Sequence, residues 1–250
     1  MPPIDISPGR RVVLAGMLSA LVAGGCAPAD EASAHDRDVN ETLTPAQAWD
    51  RLAEGNRHWA GGRLRHPDQS ERRRREVAGR QKPFATVVTC IDSRVPPETV
   101  FDQGVGDLFA VRTGAQTLDG LVTGSVEYGP LESGTPLVVV LGHQRCGAVA
   151  AAVKALSGGH HEKPPGQLGK IVDALRPAFE QARRQSGGGD LAERTVRAQI
   201  LRSTGELAAD PALAERVKRG SLALVGAYYS LDTGKVTPLS AHGLPGTPRP

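Results

Sequence analysis

Phe84-Ala85-Thr86-Val87-Val88-Thr89-Cys90-Ile91-Asp92-Ser93-Arg94 sets the architecture. Phe84 to Thr89 is a short β-branched run entered through Pro83, the pattern of a buried strand, and it stops at a cysteine. Leu108 to Val111 reads as a second strand, and Pro136 to Leu141, with Leu137-Val138-Val139-Val140, as a third that is apolar on both faces. A fourth follows much later, at Ser221 to Tyr229. Between them lie helical stretches at Leu118 to Glu132, Ala148 to Leu156, Leu168 to Arg184, Asp190 to Ala208 and Pro211 to Lys218. Crossover helices cover both faces of a parallel sheet, so its strands become continuous apolar runs rather than alternating ones. The expected fold class is therefore α/β, with a central, mostly parallel sheet flanked by helices.

An open parallel sheet carries its site at the carboxyl ends of its strands. The first strand ends in Cys90-Ile91-Asp92-Ser93-Arg94 and the third in Gly142-His143-Gln144-Arg145-Cys146-Gly147, so two sulfurs and an imidazole can converge. Two cysteines and one histidine are three of the ligands that a tetrahedral zinc ion takes, and they leave its fourth position free. The same two cysteines also read as buried thiols or, after export, as a Cys90 to Cys146 disulfide. Spacing alone does not choose among these.

The flanking residues go further. Cys90-x-Asp92-Ser93-Arg94 followed by His143-x-x-Cys146-Gly147 resembles the β-class carbonic anhydrases. The agreement continues through Phe101-Asp102-Gln103-Gly104, Gly106-Asp107-Leu108-Phe109, Val111-Arg112, Ser125-Val126-Glu127-Tyr128 and Leu141-Gly142-His143, and it spans residues 46–236. It departs where the family has Arg-Asn-Ala-Gly-Asn after the second strand, for here Arg112-Thr113-Gly114-Ala115-Gln116 stands in its place.

The resemblance implies that Cys90, His143 and Cys146 hold Zn2+ and that zinc-bound hydroxide hydrates carbon dioxide reversibly to bicarbonate and a proton. It gives Asp92 two roles: to ligate the zinc and close the site, or to turn to Arg94 and accept a hydrogen bond from the zinc-bound water. A guanidinium fork suits that second role because it holds a carboxylate with two bonds at once. On the substrate side the resemblance implies the Gln81 amide, the pocket-wall aromatics Phe109 and Tyr128, and the backbone N–H of Gly147 at a helix start. In the family the aromatics come partly from a neighbouring subunit, so a homodimer or tetramer is expected. Arg112 corresponds to an arginine that binds inhibitory bicarbonate in members that close. Val87 stands where those members have a tryptophan, which implies an open site. The same ligands would serve a zinc hydrolase acting on carbonyl sulfide or carbon disulfide, or a non-catalytic zinc-binding envelope lipoprotein.

Composition bounds the rest. A chain of 250 residues with 39% hydrophobic and 23% charged content is a globular one, and 4% aromatics leave its core to Val, Leu and Ala. A formal charge of +3 gives no reason to expect a nucleic-acid partner. Three cysteines are too few for a disulfide scaffold, and the third, Cys26, belongs to another segment. Arg10-Arg11 followed by the apolar and small run Val12 to Gly25 has the form of an export signal of twin-arginine type, and Ala23-Gly24-Gly25-Cys26 resembles a lipobox whose cysteine is lipidated. The expected organisation is a signal over 1–26, a polar tether over 27–43, the enzyme-like domain over 44–240 and a flexible tail over 241–250. Export to the periplasm or outside, with a lipid anchor to the membrane through Cys26, is the expected location, and a cytoplasmic one is the alternative. Thr44-Pro45 should cap a helix that turns Ala46, Trp49, Leu52 and Trp59 to one face. Arg72 to Arg75 read as a solvated helix face, and His160-His161 as solvated loop histidines.

Overall fold

The computed structural model describes residues 36–38, 41–158, 164–185 and 190–244. The signal segment with Cys26, the His160-His161 loop and residues 245–250 lie outside the described residues.

Five strands, β1 (Ala85–Cys90), β2 (Leu108–Thr113), β3 (Leu137–His143), β4 (Ala223–Tyr229) and β5 (Val236–His242), form one sheet in the order β2-β1-β3-β4-β5. The first four run parallel, and β5 pairs antiparallel with β4. Every residue of β1, β3 and β4 is buried, because helices lie on both faces of these inner strands. The helices are α1 (Pro45–Ala60), α2 (Glu71–Val77), α3 (Pro97–Val100), α4 (Gly120–Glu132), α5 (Gly147–Ser157), α6 (Leu168–Arg184), α7 (Leu191–Ala209) and α8 (Pro211–Lys218). Alternate residues of the inner strands, such as Val87, Val139 and Val225, pack with Leu52 of α1 on one face. Val88, Val140 and Leu224 pack with Val126, Leu207 and Leu213 on the other.

The fifth strand corrects the sequence reading at its end. Ala241, expected in a loose tail, is buried and pairs with Val225. Pro238 hides this strand in the sequence. It is tolerated because β5 is an edge strand whose register shifts beside Gly226 and Ala227.

Helix α1 begins as expected, with Thr44 and Gln47 forming a reciprocal capping box. Its inward stripe is Ala48, Leu52, Gly55 and Asn56, whereas Ala46 is exposed and Trp49 and Trp59 pack at the rim of the core. Gly55 is required: a Cβ there would stand 1.7 Å from the Phe101 carbonyl oxygen. Asn56 then ties three segments, donating to Val100 O and Gly234 O and accepting from Val236 N–H.

The solvated-face reading of α2 fits Arg74 and Arg75, which are exposed, but not Arg73, which is buried. Its guanidinium donates to Val105 O at 2.9 Å and to Asp107 at 3.1 Å. The segment expected as tether is also docked where it is described. Arg37 donates its backbone N–H to Asp68 at 2.6 Å and its side chain to Gln103 at 2.7 Å, and its carbonyl accepts from Arg73 at 3.1 Å.

Candidate metal centre

The parallel pairing of β1 with β3, which sets Thr89 beside Leu141, brings Cys90 and His143 to the same carboxyl edge of the sheet. Cys146 follows a two-residue turn and stands as N-cap of α5. Its Sγ lies 3.9 Å from that of Cys90, and the ligand atoms of Cys90, His143 and Cys146 all fall within 4.8 Å of one another. Both cysteines are free thiols here, so the disulfide reading does not hold. His143 Nδ1 lies 3.0 Å from Gln144 O, which assigns the ring proton to that nitrogen and leaves Nε2 as an acceptor. That Nε2 is buried and makes no hydrogen bond among the described residues.

These donors fit zinc. Two sulfurs at ~2.3 Å from a tetrahedral zinc are ~3.8 Å apart, close to the observed spacing. Two thiolates also balance a divalent cation. The Cys90 thiol is pulled down to about 4 by the bond to Cys146, by His143 and by backbone N–H groups, with burial opposing them. Among those groups is Ala115 N–H, 3.3 Å from the sulfur. Cys146 is driven the other way by its bond to Cys90, by burial and by the neighbouring negative charge, while Ala148 and Val149 N–H at the start of α5 favour its thiolate. A cation bound between the two sulfurs would favour both as thiolates.

Asp92 and Arg94 stand at the mouth. Arg94 Nε donates to Asp92 Oδ1 at 2.8 Å, Nη2 donates to Oδ2 at 2.7 Å, and the Arg94 backbone N–H adds a bond of 3.0 Å. This fork holds the Asp92 carboxyl well below the usual carboxylate range, with burial opposing. The carboxylate is turned to Arg94, and its Oδ2 is 3.8 Å from His143 Nε2. Arg112 donates to Cys90 O at 3.0 Å and to Asp92 O at 2.6 Å, which braces the backbone between the cysteine and the carboxylate.

The departure at Thr113-Gly114-Ala115-Gln116 forms a 3₁₀ turn in which Ala115 takes φ +55, and it is this turn that aims Ala115 N–H at Cys90. Gly114 packs beneath Ile171, whose Cδ1 would have to move to admit a Cβ, since it would lie at 2.6 Å.

Gly147 is exposed on the first turn of α5, with open space over its Cα. The other substrate-side residues are not brought to the centre within one chain. Gln81 is exposed and precedes β1, at the opposite end of that strand from Cys90. Phe109 pairs with Thr86, four residues before Cys90, hence about 13 Å away along the strand. Tyr128 packs edge-on against Phe109, with ring centroids 5.7 Å apart. The sequence reading also missed Glu193 of α7, which accepts the Arg145 backbone N–H at 2.7 Å beside Cys146. An acid in the first turn of a helix is its sole signal in the sequence.

Residues 85–236 match the family described as carbonic anhydrase. The chain belongs to the carbonic anhydrase family. It is 41% identical over 193 residues to carbonic anhydrase 2 of Mycobacterium tuberculosis, covering 76% of this chain and 91% of that one. It is 39% identical over 199 residues to a carbonic anhydrase of Mycolicibacterium smegmatis, with 77% and 92% covered. The β-carbonic anhydrase of Coccomyxa solved with acetazolamide superposes with a TM-score of 0.60 at 26% identity, over 75% of this chain and 84% of that chain. A β-carbonic anhydrase of Sordaria macrospora, one of two described as tetrameric, shares the fold with a TM-score of 0.60 at 23% identity, over 77% and 96%. The protein is thus a carbonic anhydrase of β fold, an enzyme of reversible carbon dioxide hydration.

Proposed function

We propose that Cys90, His143 and Cys146 hold zinc, and that Asp92 and Arg94 serve carbon dioxide hydration at its fourth position. The observation that carries this reading is the buried, unpartnered His143 Nε2 facing two sulfurs set at the zinc spacing. Zinc bound there would act as a Lewis acid that lowers the pKa of a water toward ~7. Asp92, kept ionised by Arg94, is the acceptor that orients the attacking water. Arg94 keeps that carboxylate from becoming a fourth protein ligand. Carbon dioxide is a neutral electrophile and needs an apolar wall more than a charged cradle. Ala115, Val149 and Ile200 pack with the two cysteines and make the surroundings of the sulfurs apolar. The Gly147 N–H, on the helix start next to Cys146, suits the anionic product.

The Phe109 and Tyr128 placement favours a second copy of the chain. Leu121 is 86% exposed and Tyr128 50% exposed, on a face they share with Phe109 and Val111 beside the edge strand β2. Aromatics on β2 and α4, level with the start of β1, would reach a metal centre if that centre belongs to another chain. Leu121→Asp should yield a monomer in sedimentation velocity with hydration depressed.

Export with lipidation at Cys26 rests on the sequence pattern at Arg10-Arg11 and Val12 to Cys26. Among the described residues no helix is long and apolar enough to cross a membrane. Labelling with a fatty acid, lost in Cys26→Ala, tests it.

The deciding experiment is stopped-flow carbon dioxide hydration against pH on metal-quantified protein. The expected result is one zinc per chain and a rate that rises with pH. Zinc-loaded protein without hydration activity from pH 7 to 9 would overturn the catalytic reading, and faster sulfide release from carbonyl sulfide or carbon disulfide would transfer the site to those substrates.

A further inference from the structure

We infer that Glu193 is a positioning residue of the metal centre: it holds the backbone of Arg145 in the left-handed conformation that brings Cys146 to its partners. The inference rests on the zinc reading of the site and deepens it.

Only Gln144 and Arg145 separate the end of β3 at His143 from Cys146, yet the chain must turn sharply there for the two sulfurs to meet. It does so by placing Arg145 at φ +50. A side chain other than glycine is disfavoured in that region, and such a conformation persists only where its surroundings fix it. The fixing contacts come from outside the turn. Glu193 Oε1 accepts the Arg145 N–H at 2.7 Å, and its other oxygen accepts the Tyr228 hydroxyl at 2.5 Å. Tyr228 packs in the same apolar cluster as Cys90 and Cys146, with the Arg197 guanidinium 4.2 Å over its ring. Glu193 lies in the first turn of α7, where the helix favours a negative charge. Helix α7 in turn buries Val196 and Ile200 in that cluster, so the carboxylate is mounted on a rigid element.

Two functional groups hang from the same residue. Cys146 follows Arg145 directly, and the Arg145 carbonyl accepts a hydrogen bond from Arg94 Nη2 at 3.3 Å, the nitrogen that also holds Asp92. The Arg145 side chain is fixed separately on Asp232, at 2.6 and 3.0 Å. Glu193 therefore acts on the backbone and Asp232 on the side chain. With both its oxygens engaged, Glu193 is a brace and not a ligand.

The test compares Glu193→Ala, Glu193→Gln and the pair Glu193→Ala with Arg145→Gly, with Arg145→Gly alone as control. The readouts are zinc affinity by chelator competition and the thiolate-to-cobalt charge-transfer band of the cobalt-substituted protein. Glu193→Ala should weaken zinc by about 10–100-fold, the range found when a ligand's supporting partner is lost, and should shift the cobalt band. Glu193→Gln, which keeps an acceptor for the N–H, should stay near wild type. Adding Arg145→Gly to Glu193→Ala should bring the affinity back close to that of Arg145→Gly alone, because glycine takes positive φ unaided. Unchanged affinity and band in Glu193→Ala, or no rescue by the glycine, would overturn the role. A wild-type protein that binds neither zinc nor cobalt would instead overturn the zinc reading itself.

Discussion

Two buried polar clusters in this chain are arranged in opposite ways. Around Asp68 and Asp107 the charges face each other. Arg73 reaches Asp107 at 3.1 Å and Asp68 at 3.7 Å, Gly104 N–H donates to Asp107 at 2.8 Å, and Arg37 meets Asp68 at 3.2 Å and Asp107 at 3.4 Å. Around Cys90, His143 and Cys146 the donors face a common centre, and the buried His143 Nε2 makes no hydrogen bond among the described residues. Apart from Asp68 Oδ2, which has the Arg37 charge at 3.2 Å but no hydrogen bond, the groups of the first cluster pair with one another and specify a fold, whereas groups that converge without satisfying each other call for something else to bind. The first cluster joins α2, the loop before β2 and the segment at Arg37. The second sits where β1 and β3 end.

The largest effect should fall on the second cluster. His143→Ala or Cys146→Ser should lower zinc content at least about a hundredfold in chelator competition and abolish hydration, since each removes one of the three proposed ligands. Far-ultraviolet circular dichroism should stay native. Full zinc loading of Cys146→Ser would refute the ligand assignment. Next comes Arg73→Met, which leaves Asp107 and Asp68 buried without their main counter-charge. Such a loss costs about 3–5 kcal/mol, which for a chain of this size lowers Tm by roughly 10 °C. Zinc per folded chain should not change. Loss of zinc at an intact fold would show that the two clusters are coupled. Third, Asp92→Asn should keep its zinc and lose about a hundredfold in kcat, the scale of a single acceptor for a reacting proton. An unchanged rate would remove Asp92 from the chemistry.

The same contrast governs what could be read from the sequence. The candidate metal centre was legible because its residues are local and chemically rare: Cys90, Asp92 and Arg94 within five positions, and His143 and Cys146 within four. The apolar runs that carry them made the parallel sheet legible too. The closed cluster was not, since Arg73 stands among Arg72, Arg74 and Arg75 and nothing in the run says which of the four turns inward. That is settled by Asp107, thirty-four residues away. Glu193 was hidden for the same reason, because its partner is a backbone N–H whose strain only the folded turn reveals. In β4, buried on both faces, periodicity could not say that Tyr228 faces the cysteines while Tyr229 faces Trp59.

The smallest effect concerns Arg37, and its sign depends on pH. Burial first, and then Asp68, push the Asp107 carboxyl up to about 6 from its ordinary 3.8, with Gly104 N–H and the Arg37 charge working against them. A carboxyl raised on folding favours the folded state while it is protonated. That contribution is whole below about 4 and disappears as pH climbs through about 6. At pH 8 the ionised Asp107 therefore depends on the cations beside it, Arg73 and Arg37, and at pH 5 it depends on them much less. Arg37→Ala should lower stability at both values through its lost hydrogen bonds, with a further ~1 kcal/mol at pH 8. In thermal melts that difference is about 2–4 °C. A penalty that shrinks as pH rises would mean that Arg37 serves Asp68 alone, and that the segment carrying it docks without regard to the Asp107 charge.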